Sequence, residues 1–101
     1  MEESKDVSKI APHTAKCIME NDRVRVLEIR MKPGDNVAMH SHPDHVIYIL
    51  GGQKIKFTLS DGQEKEQELR AGQALWFEAG SHAVENNSKI ETHVIAIELK
   101  K

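Results

Sequence analysis

The sequence predicts an all-β protein whose antiparallel strands close into a barrel. Three observations lead to this prediction. Short segments rich in branched residues alternate between apolar and polar positions, turn-forming residues separate them at regular intervals, and no helical crossover pattern occurs. The 101 residues suit one small domain, and the hydrophobic content of 39% indicates a modest core.

The strand candidates are separated by turn residues. "RVRVLEIRM" (23–31) alternates and ends at "KPGD", where proline fixes φ and glycine tolerates an unusual φ. Gly51-Gly52 predicts a two-residue hairpin, and the charged run "EKEQEL" (64–69) predicts a solvated edge strand. The other strand candidates are "NVAMHSH" (36–42), "HVIYIL" (45–50), "KIKFTL" (54–59), "ALWF" (74–77), "HAVEN" (82–86) and "ETHVIAIEL" (91–99).

The strand at 45–50 is apolar on both faces. His45, Ile47 and Ile49 share one face, and Val46, Tyr48 and Leu50 share the other. A strand of this kind needs cover on both faces, so we expect sheet-to-sheet contact inside a barrel and a homodimer outside it. Tyr48 is then an interface residue rather than a pocket residue.

Residues 1–20 lack a clear pattern. We expect them to form an N-terminal arm, either a swapped strand or a loose tail, and residues 21–101 to form the barrel as a single domain. The first twelve residues are charged and contain no apolar signal-like stretch, and no run approaches the length of a spanning helix.

Charge and cysteine content exclude several classes of function. The 14 basic and 16 acidic residues give a formal charge of −2 without a basic patch, which argues against nucleic acid or an anionic membrane as a partner. Cys17 is the only cysteine, so an intrachain disulfide and a zinc ribbon are excluded. We therefore expect a soluble, cytoplasmic protein.

Histidines concentrate at one strand entrance. The stretch "MHSHPDHVIYIL" (39–50) holds three of the six histidines. His40 and His42 are two residues apart on an extended segment, so both side chains leave the same face. Two imidazoles are too few for a metal, which needs ligands from elsewhere. His45 has the inward parity of the next strand, and a barrel can return His82 to the same place.

For the other candidate residues, a structural role in the core or on the surface is the simpler interpretation. His13 is expected on the surface, and His93 is expected either to point inward or to pack near the site. Glu85 should point away from His82. Glu78 is either a solvent-exposed edge residue or a proton-transfer group. Four apolar side chains are candidates for either the pocket wall or plain core: Ile47, Ile49, Phe57 and Trp76.

From residue 23 to residue 99 the chain resembles the small single-domain cupins. Their first motif reads glycine, five residues, His-x-His, three or four residues, glutamate, six residues, glycine. Here Gly34 is followed by five residues and then His40-Ser41-His42. Counting back six residues from Gly52 reaches His45, which takes the place of the usual glutamate in a loop one residue shorter than the family minimum.

The second cupin motif is also present with changes. Gly72 and the following five residues lead to Glu78, where proline is usual. Gly80 and Asn86 fall in place, and His82 arrives one residue early. The phrases "HSHPDHVIYIL" and "AGSHAVEN" further resemble the branch labelled as beta-alanine degradation protein.

The resemblance implies a double-stranded β-helix, or jelly-roll cupin barrel, that holds one divalent transition metal. His40, His42 and His82 would be ligands, and His45 a fourth ligand or a close neighbour. An all-imidazole site keeps a charge of about +2, which favours the divalent state and attracts an anionic ligand. Iron, nickel, zinc, manganese and copper all remain open.

Three functional hypotheses follow. Similarity to three-histidine cupin dioxygenases suggests a non-heme metal enzyme that acts on a small dicarbonyl, enolate or carboxylate. The alternative is a cupin that binds metal and a small molecule without turnover. The third is a structural dimer with an accidental histidine cluster. No Ser-His-Asp or Cys-His arrangement for nucleophilic catalysis is evident.

Overall fold

The computed structural model describes residues 6–100, and their order is one short helix followed by nine strands. Eight of these strands lie at the segments that the sequence predicts, whereas the strand at 15–20 lies where the sequence shows no clear pattern. The elements are α1 (Val7–Ile10), β1 (Ala15–Glu20), β2 (Val24–Met31), β3 (Asn36–His42), β4 (His45–Gly51), β5 (Lys54–Leu59), β6 (Glu64–Glu68), β7 (Ala74–Phe77), β8 (Gly80–Glu85) and β9 (Thr92–Leu99).

The strands form two antiparallel sheets, as expected for a jelly-roll. The five-stranded sheet has the order β1-β2-β9-β4-β7, and the four-stranded sheet has the order β3-β8-β5-β6. The fold class predicted from the sequence is confirmed. The charged strand β6 lies at an edge, where its side chains reach solvent, as predicted.

Most connections cross from one sheet to the other. Among strands that follow each other in the chain, only β1–β2 and β5–β6 are hydrogen-bonded neighbours within the described residues. The predicted hairpin at Gly51-Gly52 is therefore wrong: the segment carries the chain between sheets. Gly52 has a φ of +147°, where other residues are strained, and a Cβ there would lie 2.9 Å from Leu69 Cδ1, so this position favours glycine.

The core fills the space between the two sheets. One buried cluster packs Val7 of α1 against Leu27, Met31 and Val37. A second cluster contains Ile49, Ile55, Leu69 and Val94. Ile49 is fully buried, so it belongs to the core rather than to a wall beside the histidines.

Strand β9 shows which face of the five-stranded sheet points inward. Thr92, Val94, Ala96 and Glu98 are buried, whereas the alternate residues are partly or well exposed. The expectation that His93 points inward is wrong, because its side chain lies on the outer face and contacts Glu28. The apolar residues of β9 cover both faces of the sheet, so their parity alone did not identify the inner one.

The N-terminal segment packs on the barrel of its own chain. β1 pairs with β2, and Asp6 forms an isolated bridge with Ser41 beside β3. The division into an arm, 1–20, and a barrel, 21–101, stays a prediction, and residues 1–5 lie outside the described part. No helix within residues 6–100 is long and apolar enough to cross a membrane.

Candidate metal centre

Two neighbouring strands of the four-stranded sheet bring three histidines together. His40 on β3 lies directly opposite His82 on β8, and His42 lies two residues further along β3. Side chains two residues apart leave the same face of a strand, so all three rings point between the sheets. A register irregularity between Val37 and His40 precedes the pair.

The three rings are close enough to share one ion. Ring centroids are 4.7 Å apart for His40 and His82, 4.8 Å for His40 and His42, and 5.3 Å for His42 and His82. One ligand nitrogen from each residue lies within 4.8 Å of the others. Across residues 6–100, no other group of three histidine, cysteine or acidic side chains meets this condition.

Hydrogen bonds fix which ring nitrogen carries the proton. His40 Nδ1 donates to the carbonyl oxygen of Ala38 at 2.8 Å, and His45 Nδ1 donates to that of Pro43 at 2.8 Å. A carbonyl only accepts, so in the neutral rings the Nε2 atoms carry lone pairs. A metal ligand requires such a lone pair.

Burial keeps these rings in the neutral form that binds metal. Burial lowers the pKa of His40 and His45 below the ordinary 6.5. Burial, reinforced by the neighbouring histidines, lowers the pKa of His82 to about 3. In a cluster of solvated surface histidines, protons would instead compete with a metal for the ring nitrogens near neutral pH.

His45 lies beside the group of three. Its ring centroid is 4.5 Å from that of His42, and on its other side the ring stacks on Phe77 at 5.5 Å. It is buried, as its parity predicts. The arrangement suits a close neighbour of the site, and the assignment of all four histidines as ligands stays a prediction.

A mainly apolar cavity of about 60 Å³ opens beside the histidines. A water molecule needs about 10–15 Å³, so the cavity has room for a few waters or for part of a small organic molecule. Ile47 and Phe57 line it, as the sequence predicts, and none of its described lining residues is acidic. Thr92 and Gln67 are its polar members besides the histidines.

A buried acid that the sequence did not reveal contacts this group. Glu98 is 2% exposed, and its Oε2 accepts a hydrogen bond from His42 Nδ1 at 2.5 Å. Its Oε1 accepts bonds from Arg25 at 2.7 and 3.0 Å. The signal available in the sequence is one acid in an apolar strand, but the alternation of that strand predicts the opposite face as the inner one.

Charge pairing outweighs burial in this chain of contacts. Burial works to raise the pKa of Glu98, yet the bonds from His42 and Arg25 leave it below its ordinary value. Arg25 also pairs with Asp6, and hydrogen bonds to the two acids raise the pKa of Arg25 against the effect of burial. Burial works to raise the pKa of Asp6 as well, but its bonds with Arg25 and Ser8 leave it below its ordinary value, so all three groups are ionised at neutral pH.

Several other candidates lie away from the cavity. Trp76 is 53% exposed, so the prediction that it lines the pocket is wrong. Glu85 pairs with Lys56 at 3.2 Å and does not face the cavity, as predicted. Glu78 and His13 are exposed, and Tyr48 also points outward.

Comparisons with known proteins agree with this architecture. A family model described as "Cupin domain" matches residues 27–98. A cupin domain from Bordetella pertussis Tohama I has a TM-score of 0.80 and 27% identity, over 86% of this chain and 92% of that one. No curated protein matches the chain.

Two more distant structures share the fold. A cupin superfamily protein from Desulfitobacterium hafniense DCB-2 has a TM-score of 0.64 and 20% identity, over 86% of this chain and 76% of its own. The DMSP lyase from Ruegeria pomeroyi DSS-3 has a TM-score of 0.65 and 15% identity. That match covers 87% of this chain but only 46% of the lyase.

Proposed function

The chain belongs to the cupin domain family, and on that basis we propose that it binds one divalent transition metal inside the barrel. His40, His42 and His82 would hold the ion, with His45 as a fourth ligand or a neighbour. One observation carries the proposal: three buried imidazoles from two strands place ligand nitrogens within 4.8 Å of one another at the edge of an apolar cavity.

The residues suit a metal in their chemistry as well as in their spacing. Burial lowers the pKa of His40 and His82, and the Nδ1–H groups of His40 and His45 donate to backbone carbonyls, which leaves Nε2 of those two rings free to bind a metal. Imidazole suits iron, nickel, copper and zinc, and manganese remains open, so the donor set alone does not choose between them.

The cavity favours a small ligand with one oxygenated end and an apolar remainder. A bound divalent ion would act there as a Lewis acid on an oxygen atom of the ligand. The imidazole donors are neutral, so the ion would keep most of its positive charge and favour an enolate or a carboxylate. Ile47 and Phe57 would contact the apolar part and exclude water.

We propose a metal-dependent, dioxygenase-like enzyme that acts on a small dicarbonyl, enolate or carboxylate. The alternative is a cupin that binds metal and a small acid without turnover. The third possibility, an accidental histidine cluster in a structural dimer, predicts no retained metal. DMSP lyase activity belongs to the Ruegeria protein and is one further reaction to assay.

Metal analysis followed by oxygen uptake tests this proposal. Element-resolved analysis of protein from its native host should find close to one transition-metal equivalent per chain, and less than about 0.2 would reject the centre. The iron-loaded protein should then consume oxygen with a member of a β-dicarbonyl panel. A metal-loaded protein that binds these compounds without oxygen uptake would support the binding protein instead.

The outer face of the five-stranded sheet supports the expected homodimer. Tyr48, Leu50 and Trp76 are each more than two-fifths exposed and lie on the neighbouring strands β4 and β7. Contiguous apolar surface of this kind usually meets another protein, and we propose a second copy of this chain. Sedimentation at tens of micromolar should give a dimer that Tyr48→Glu dissociates, and a wild-type monomer would contradict this.

Two finer assignments complete the proposal. The exposed, unpaired thiol of Cys17 is compatible with the reducing cytoplasm, which imaging of the tagged protein in its host would test. Placement in the branch labelled as beta-alanine degradation protein rests on "HSHPDHVIYIL" and "AGSHAVEN". The proposed partner is a small-molecule ligand or substrate, and neither nucleic acid nor membrane is proposed.

A further inference from the structure

A buried carboxylate lies directly behind one of the three clustered histidines. The two oxygens of Glu98 have different partners, because Oε2 accepts from His42 Nδ1 and Oε1 accepts from Arg25. The side chains of Glu98 and His42 are 3% and 4% exposed. A carboxylate held by both oxygens cannot rotate away from the imidazole.

We propose that Glu98 is the positioning residue of this centre, which holds His42 with Nε2 towards the cluster and supplies the negative charge that the ligands lack. The inference rests on the proposed function, because it assigns a role towards the metal. A carboxylate that accepts the Nδ1 proton of a ligating histidine fixes the orientation of the ring and increases its donor strength.

Glu98 matters for charge because the cavity itself offers no negative group to compensate a bound cation. No described lining residue is acidic, and an imidazole that gives a lone pair to a metal is itself uncharged, so the two positive charges of an ion would be uncompensated there. Glu98 contacts the cluster directly, through the Nδ1–H of His42. His45 stands where the cupin motif has a glutamate, so the carboxylate acts here from behind a ligand rather than as one.

The support for Glu98 extends to the N-terminal segment. Arg25 contacts Asp6 as well as Glu98, and the side chain of Asp6 caps helix α1 through Ser8. Val7, the next residue, is buried and lines the cavity. A chain of ion pairs and hydrogen bonds therefore runs from the cavity wall at Val7 to His42, through Asp6, Arg25 and Glu98. The net charge of these three linking side chains is −1.

The experiment measures the zinc affinity of two variants, Glu98→Gln and its control Glu28→Gln. Glu28 contacts His93 on the outer face at 2.7 Å, so its replacement removes the same charge from a histidine outside the cluster. Chelator competition at pH 7.5 should give a zinc dissociation constant about 10- to 100-fold weaker for Glu98→Gln. Glu28→Gln should stay within about twofold of wild type, because nothing in its neighbourhood binds the ion.

Spectroscopy separates positioning from a general effect on folding. In zinc-loaded protein labelled with ¹⁵N-histidine, His42 should show a protonated Nδ1 and a metal-bound Nε2, and Glu98→Gln should shift the Nδ1 resonance. If Glu98→Gln does not fold, the wild-type spectrum decides: a metal-bound Nδ1 on His42 would overturn the proposal.

Unchanged zinc affinity in Glu98→Gln would also overturn it and would leave the histidine centre intact. Failure of the wild-type protein to bind zinc, iron or any other divalent ion would reject the proposed function itself. The two failures are therefore distinguishable.

Discussion

Two histidine–glutamate pairs lie on opposite faces of the five-stranded sheet. Inside the barrel, His42 Nδ1 and Glu98 Oε2 are 2.5 Å apart, and outside it His93 Nε2 and Glu28 Oε2 are 2.7 Å apart. The contacts are chemically alike. The inner pair is nearly inaccessible to solvent, whereas the side chains of the outer pair are 21% and 31% exposed.

Each glutamate also has an arginine partner. Arg25 donates two hydrogen bonds to Glu98, and Arg30 lies 3.6 Å from Glu28. In the inner network, the low dielectric strengthens the attraction between the charges, but burying those charges costs desolvation energy. In the outer network, water screens the attraction. The same pairing is therefore a buried interaction on one face and a solvent-screened one on the other.

The largest difference should appear when histidines are removed from each face. His40→Ala and His82→Ala take away one of three convergent nitrogens, so retained metal should fall to background, with affinity at least about 100-fold weaker. His93→Ala removes a ring on the outer face and should retain metal fully. Element analysis after dialysis measures both, and circular dichroism checks that each variant folds. Full retention in His40→Ala would contradict the assignment.

The second-largest difference should appear in protein stability when the arginine of each network is replaced. Arg25→Met leaves Glu98 and Asp6 without their cation, and the free energy of unfolding should fall by about 3 kcal/mol or more. Arg30→Met, at a side chain 53% exposed, should change it by less than about 0.5 kcal/mol. Urea unfolding of the metal-free proteins measures both. Equal effects would mean that burial does not separate the two networks.

The sequence predicted most of the barrel but not this network. Alternation and turn residues located the strands, because a sheet that covers a core leaves a period of two in its sequence. His40 and His42 were candidates because residues two apart on a strand share a face, and His82 because the second cupin motif has a histidine there; the register of β3 and β8 does bring the three rings together. Glu98 was missed because β9 carries apolar residues on both faces, so neither face was marked as inner. The partners that ionise a buried acid lie far away in sequence and become neighbours only in the fold.

The pH dependence of stability should come mainly from the inner face. In the folded chain the pKa of His40, His45 and His82 lies below 6.5, the last at about 3, so unfolded protein binds more protons below pH 6.5. Stability is therefore complete above pH 6.5 and falls with acidification, by up to about 1.4 kcal/mol per pH unit for each ring. Metal-free protein unfolded in urea between pH 7 and pH 5 tests this, a window above the ordinary carboxylate pKa of 4.5.

A variant without one of these rings provides the control for that window. His82→Leu removes the ring whose pKa is lowered to about 3, so the stability of this variant should depend less steeply on pH than that of wild type. A wild-type profile that stays flat from pH 7 to pH 5 would mean that the rings are not held neutral by burial.

The smallest change in stability should come from a polar group on the inner face that, unlike Glu98, has no hydrogen-bond partner within the described residues. Thr92 is 2% exposed, and its Oγ1 has no hydrogen-bond partner within the described residues. A buried polar atom is costly when unpaired, so Thr92→Val should raise the free energy of unfolding by about 1 kcal/mol. Thr58→Val, on the outward side of β5, should change it by less than about 0.5 kcal/mol. A loss of stability in Thr92→Val would show that its hydroxyl is satisfied in solution. The inner face accommodates Glu98 because two partners hold it, and Thr92 measures the cost when partners are absent.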